Sequence, residues 1–201
     1  MSLYTIKKKS KSYYIDRGSK FIGILRSLEL LSDFKANLKE IKKQNPTATH
    51  VCSAYRIMNL KNIEERYSDD GEPAGSAGQP ILNELKRKSI VNSGVFVIRY
   101  YGGRQLGVSG LIHSYSEATR LCLLNNEIIE WNFSKEYILV HSYKEINILD
   151  TLIVKYEASL MNREFDLLIS SYIKINEVCA KLFRNEIASK TSGSISIKEL
   201  K

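Results

Sequence analysis

Y-S-D-D-G-E-P-A-G-S-A-G-Q-P, residues 67–80, breaks the texture of the chain around it. The run has no hydrophobic period. It concentrates Gly71, Gly75 and Gly78, Pro73 and Pro80, and the acids Asp69, Asp70 and Glu72, and therefore reads as a loop. Just upstream, residues 50–58 alternate Val51, Ser53, Tyr55 and Ile57 with Cys52, Ala54, Arg56 and Met58. This is a strand whose second, small-residue face suits a covering helix. Just downstream, Ser76 and Gln79 stand at capping-box spacing, Pro80 suits a first helical turn, and Ile81, Leu82 and Leu85 form an apolar stripe. The spacing predicts a short helix ending near Lys88.

Farther out, strand and helix signals continue to alternate. Residues 13–15 and 20–25, joined by Asp16-Arg17-Gly18-Ser19, read as a hairpin. Ser32 is placed to cap a helix over 33–43, with Phe34, Leu38 and Ile41 on one face and Asn45-Pro46 at its end. A β-rich stretch over 94–101 stops at Gly102-Gly103, and a longer helix with Leu111, Ala118, Leu121 and Leu124 on its inner side extends towards Asn125. The pattern restarts after Trp131-Asn132, which divides the chain into units 1–130 and 133–201. In the second, strands over 137–141, 156–165, 168–175 and 194–197 alternate with helices over 144–154 and 176–189, the β-α-β-β-α-β order of a ferredoxin-like unit. The fold class is thus α+β.

Composition narrows the function classes. No apolar run approaches membrane-spanning length, and the lysines at the start have no apolar segment behind them, so neither a membrane span nor a signal peptide is expected. Three cysteines, odd in number and far apart, fit reduced thiols in the cytoplasm. The formal net charge of +8 points to a polyanionic partner, since clustered cations displace counterions from nucleic acid. A lysine-rich composition bias is the alternative source. Residues 1–26 carry Lys7, Lys8, Lys9, Lys11, Arg17, Lys20 and Arg26 against the single acid Asp16, which predicts a positive edge on the first unit.

Two stretches carry the candidate chemistry. Asp69, Asp70 and Glu72 admit three readings: ligands for a hard cation such as Mg²⁺, an acid–base pair, or a turn whose acids accept backbone N–H groups and pair with Arg66 or Arg99. Around them Gly75, Ser76 and Gly78 complete the acidic loop. In the second stretch Gly102, Gly103, Gly107 and Gly110 permit close backbone approach, a helix start follows, and Arg99, Arg104 and His113 add cationic character, a combination suited to a phosphate. A tight strand-to-helix connection explains the same glycines. Neither a dinucleotide fingerprint nor a P-loop is present. His50 and Cys52 share one side of a strand, but no second ligand pair stands at metal spacing and no residue is placed to orient the histidine. Of Tyr100 and Tyr101, one faces a binding surface and the other the core.

R-Y-S-D-D-G-E-P-A-G-S-A-G-Q-P-I-L (66–82) and V-I-R-Y-Y-G-G-R-Q-L-G-V-S-G-L-I-H-S-Y-S-E-A (97–118), with F-I-G-I-L (21–25) and A-T-H-V-C-S-A-Y-R-I (48–57), closely resemble the signature segments of the YigZ/IMPACT family. The resemblance spans essentially the whole chain. It implies a first domain of the left-handed βαβ kind shared with a small-subunit ribosomal protein and RNase PH, and a second domain like the last domain of elongation factor G. It also implies a link to translation, with RNA, the ribosome or a translation-related protein as partner, and it brings no established reaction. Ser109 and His113 stand where family members carry Gly and Arg. The expectation is a regulatory or nucleic-acid-binding protein with no obligatory cofactor. The alternative is a metal-dependent hydrolase or transferase acting on a phosphate-containing substrate through the acidic loop.

Overall fold

The computed structural model describes residues 2–59 and 62–200, which form two compact units meeting between Trp131 and Asn132. In the first unit the elements run β1 (Leu3–Ile6), β2 (Ser10–Asp16), β3 (Ser19–Ser27), α1 (Leu31–Gln44), β4 (His50–Met58), β5 (Ile63–Ser68), α2 (Gly78–Arg87), β6 (Ser93–Tyr100), α3 (Gly107–Leu124) and β7 (Ile128–Trp131). Five of the strands make one sheet in the order β2-β3-β6-β4-β5 with every neighbouring pair antiparallel. Strands β3 and β4, linked through α1, therefore run parallel to each other with β6 inserted between them.

Alternation along each strand divides the sheet's residues between two layers. On one face Val51, Phe96 and Ile98 pack under Ile41, Phe34 and Leu38 of α1. On the other, Phe21, Leu25, Cys52, Ala54, Val95 and Val97 meet Ile81, Leu82 and Leu85 of α2 and Leu111, Tyr115, Ala118 and Cys122 of α3. The small side chains at 52 and 54 leave the room that α2 occupies. The first strand of this unit closes on its last, because β1 pairs antiparallel with β7 from Leu3↔Trp131 to Ile6↔Ile128.

Several local expectations are corrected. Ser32 lies inside α1; the helix begins at Leu31, two residues before the expected start, because Asp33 Oδ2 accepts the N–H groups of Glu29 (2.9 Å) and Leu30 (2.8 Å). Ser76 caps nothing. Its hydroxyl donates to the Pro73 carbonyl at 2.7 Å, and Ala77 is the N-cap of α2. The buried face of α3 is Leu111, Ser114, Tyr115, Ala118, Thr119, Cys122 and Leu123, whereas Leu124 is exposed.

The second unit runs β8 (Ser134–His141), a 3₁₀ turn (Tyr143–Glu145), α4 (Ile146–Lys155), β9 (Ser159–Phe165), β10 (Ile169–Asn176), α5 (Glu177–Lys190) and β11 (Ser196–Leu200). Its antiparallel sheet has the order β11-β8-β10-β9, so the two central strands are the first and third of the unit, as in ferredoxin-like folds. Leu149, Leu152, Ala180, Phe183 and Ile187 from the helices cover Tyr137, Leu139, Ile173 and Ile175 from the sheet. Tyr156 ends α4 as its C-cap and does not belong to the following strand. Among the described residues no helix is long and apolar enough to cross a membrane.

Candidate binding cleft

Sheet register builds the floor of the site. Phe21, Arg99 and His50 are cross-strand partners on β3, β6 and β4, so their side chains form a row on the face that α3 covers. The loop over 69–77 delivers Glu72 to this row. A tight turn makes that possible: the Glu72 N–H donates to the Asp69 carbonyl at 3.0 Å, with Asp70 at φ 46° and Gly71 at φ 92°. Two successive positive φ values are the mark of a type I′ turn, which Asp-Gly satisfies at low cost.

The three acids of the loop part company at this turn. Asp69 points inward along its own loop, where Oδ1 accepts Ala77 N–H (3.0 Å) and Gly78 N–H (2.8 Å) and Oδ2 accepts Gly75 N–H (2.9 Å). Asp70 turns back to the sheet, with Oδ2 on Val51 N–H at 2.7 Å and Oδ1 on Lys42 Nζ at 2.6 Å. Only Glu72 enters the cleft. Its Oε1 accepts Arg99 Nη1 at 2.6 Å and Tyr115 Oη at 2.8 Å, and its Oε2 lies 4.0 Å from His50 Nε2. Among the described residues no three His, Cys, Asp or Glu side chains gather as metal ligands.

His50 and Cys52 hold the loop from beneath. The His50 ring places Nδ1 2.8 Å from the Asp70 carbonyl, and the Cys52 thiol donates to the Asp69 carbonyl at 2.9 Å. Burial first, then the neighbouring carboxylates, pushes the Cys52 thiol up to about 12. Burial likewise raises the Tyr115 hydroxyl, reinforced by Cys52 and Glu72, so Tyr115 stays a neutral donor. A thiol held so high is a packing group and not a nucleophile at neutral pH.

Between this floor and the start of α3 lies a cleft of about 350 Å³, walled by Thr49, His50, Glu72, Pro73, Arg99, Tyr101 and residues 105–108 with Leu111. Arg99 is buried to 6% exposure, gives only Nη1 to Glu72, and keeps a shielded Nε without a partner among the described residues. Its guanidinium lies 5.6 Å from the Phe21 ring and 5.5 Å from the Tyr101 ring. Helix α3 opens on the same cleft with no side chain capping its first N–H groups.

Of the residues singled out in the sequence, the structure brings Arg99, Glu72 and Gly107 to the cleft. Gly75, Ser76 and Gly78 shape the loop behind it, and Gly78 lies so near the Ser68 backbone that a Cβ would stand 2.7 Å away. Gly102, Gly103, Arg104 and Gly110 are not among its walls. His113 faces elsewhere, packing edge-on against Tyr14 at 6.1 Å between ring centroids. Tyr101 stands at the cleft, while Tyr100 turns to the α1 side and donates to Asn45 Oδ1 at 2.9 Å. In the sequence His50 stands out only beside Cys52, as a metal pair or a Cys–His nucleophile pair; its cross-strand place beside Arg99 follows from register.

An antiparallel sheet layered between helices, with a buried Arg–Glu pair under a glycine-rich loop and a ferredoxin-like unit behind it in sequence, defines a two-unit α+β protein. Residues 17–123 match the Impact N-terminal domain, and the chain belongs to the IMPACT family. An IMPACT family member of Haemophilus influenzae is 30% identical over an alignment covering all of this chain and 98% of that protein. YigZ, the IMPACT family member of Escherichia coli, is 26% identical over 89% of this chain and 88% of its own length. A crystal structure of a hypothetical protein matches all of this chain and 98% of its own with a TM-score of 0.67 at 23% identity, a likeness of fold.

Proposed function

We propose that this chain is a translation-linked binding protein whose first unit receives an anionic group of an RNA or ribosomal partner in the cleft beside Arg99. The observation that carries the reading is Arg99 itself. A guanidinium only 6% exposed, with Nε shielded and unpaired among the described residues, is a costly arrangement, and a ligand in the adjoining cleft can supply acceptors to the rest of the group. The uncapped first turn of α3 adds N–H donors and the positive end of an 18-residue helix. The net charge of +8 supplies a long-range field of the right sign. The hydrolase alternative needs Asp69, Asp70 and Glu72 to converge on a metal, and each of the three is engaged in a different direction.

Val108 provides a clean test because it lies in the first turn of α3, lines the cleft and is exposed. A carboxylate there favours the helix dipole, so Val108→Glu is expected to leave the melting temperature unchanged or raised. The same charge repels an anion. Single-stranded RNA should bind the native protein in about the micromolar range at low salt and several-fold more weakly at physiological salt, with Val108→Glu weaker still. Replacing Lys7, Lys8, Lys9 and Lys11 by Gln should reduce binding alike for all sequences. Unchanged binding by Val108→Glu overturns the cleft as the site, and no binding at low salt overturns RNA as the partner.

A further inference from the structure

Resting on the RNA reading, we infer that the cleft floor selects a nucleobase bearing an exocyclic amine next to a ring-nitrogen acceptor, as in adenine and cytosine. The argument begins with a proton. The Asp70 carbonyl can only accept, so the His50 Nδ1 that contacts it carries the hydrogen, and in the neutral ring Nε2 presents a lone pair. Across from it stands Glu72 Oε2, an acceptor with no hydrogen-bond partner among the described residues, Arg99 and Tyr115 both donating to Oε1. The two acceptors are 4.0 Å apart, too far to bond each other and close enough for one donor atom to reach both.

Such a donor needs two hydrogens. A ligand hydroxyl has one, whereas water and an NH₂ group each have two, so a ligand amine can take the place of water here. An ammonium group also fits the two acceptors, attracted by Glu72 and repelled by Arg99; because Arg99 already neutralises that carboxylate, the pair gives a cation no net advantage over a neutral amine. The Arg99 guanidinium then offers its remaining donors to an acceptor adjoining the amine, while the anionic group of the same nucleotide meets the first-turn N–H groups of α3. Tyr101, 49% exposed at the rim, presents a ring for stacking, and Leu106, Val108 and Leu111 provide an apolar wall for a flat heterocycle. Adenine and cytosine place a ring nitrogen acceptor beside the amine. Uracil has no amine; guanine puts N1–H beside its amine on the pairing edge and offers the N3 acceptor only from the sugar side.

The test compares RNA oligomers of about eight nucleotides, made of A, C, U or purine riboside, which is adenosine without its amine. Affinities are read by fluorescence anisotropy at one salt concentration and again at a higher one. The A and C oligomers are expected to bind about tenfold more tightly than U, and the purine riboside oligomer should fall to the level of U. His50→Asn keeps a donor for the Asp70 carbonyl and removes the Nε2 acceptor, so it should bring the A-to-U ratio close to one. The purine riboside comparison needs no variant and stands even where His50→Asn fails to fold. Equal, salt-sensitive binding of all four oligomers, or purine riboside matching A, overturns base selection and leaves RNA binding intact. Binding of none overturns the RNA reading and this inference with it.

Discussion

Gly102 lies against Gly18 so closely that a Cβ built on Gly102 would stand 2.0 Å from the Gly18 carbonyl carbon. The contact joins the end of β6 to the β2–β3 turn, and the Gly102 N–H donates to Ser19 Oγ at 3.1 Å. One of the four glycines read as a phosphate cradle is therefore a packing glycine. Gly102→Ala must push backbone away from backbone and is expected to cost about 1–3 kcal/mol or more in stability, seen as a lower urea midpoint at unchanged m-value. Gly103→Ala meets nothing within 4 Å but occupies φ 83°, and should cost about 1 kcal/mol. A larger loss at 103 than at 102 would contradict this account.

Asp69 and Asp70 should differ in what their amides do. Asn at 69 retains an oxygen for Ala77 and Gly78 but turns an NH₂ towards the Gly75 N–H, so Asp69→Asn is expected to lose about 2 kcal/mol or more. Asp70→Asn keeps one acceptor for Val51 and weakens the half-exposed contact with Lys42, and about 1 kcal/mol is expected. Chemical denaturation measures both. Normal stability in Asp69→Asn would show that the loop is not held from within.

Thiol reactivity follows burial. Cys52 and Cys122 are buried and pushed up to about 12 and about 11, first by desolvation, whereas Cys179 is partly exposed on α5. At pH 8 a disulfide reagent should titrate one thiol per native chain quickly, at Cys179, and all three after denaturation. Rapid modification of two or three thiols in the native state would refute the assignment, and peptide mapping identifies which reacted.

Acid should act on the second unit through Glu186. Hydrogen bonds from Lys155 first, then Tyr156, with Lys190 adding to them, hold its carboxyl down to about 2. A folded-state value below the unfolded one means that the contribution is present above the unfolded carboxylate range near 4.3 and is lost as pH falls towards 2. Glu186→Gln is therefore expected to be less stable than the native chain at pH 6, with the gap closing by pH 2. The gap should also shrink in high salt, since both lysines are exposed. A gap independent of pH would point to packing instead.

The sequence disclosed elements wherever one face is packed along a regular period. The β4 alternation, the α1 stripe of Phe34, Leu38 and Ile41, and the ferredoxin-like order of the second unit are examples. It concealed elements whose stability comes from a distant partner. β1 and β7 have four residues each and pair across more than a hundred positions, and β5 reads I-E-E-R-Y-S because an edge strand packs little and ties its charges into ion pairs such as Glu65 with Arg56. The site was legible as two glycine-rich stretches. Their division of labour was not, because the positive φ values at Asp70 and Gly71 send three neighbouring carboxylates in three directions.

The pairing of β1 with β7 has a consequence in time. During synthesis Leu3 leaves the ribosome roughly 6–25 s before Trp131 at ordinary elongation rates, so the first strand is made long before its ladder partner exists. Tyr4 reaches an earlier partner, donating its N–H to the Ser89 carbonyl at 3.0 Å and accepting Val91 N–H at 2.8 Å. The nascent first unit can thus dock its leading strand on the α2–β6 connection and wait. The seam with β7 closes last, once the polypeptide that enters the second unit has begun to emerge.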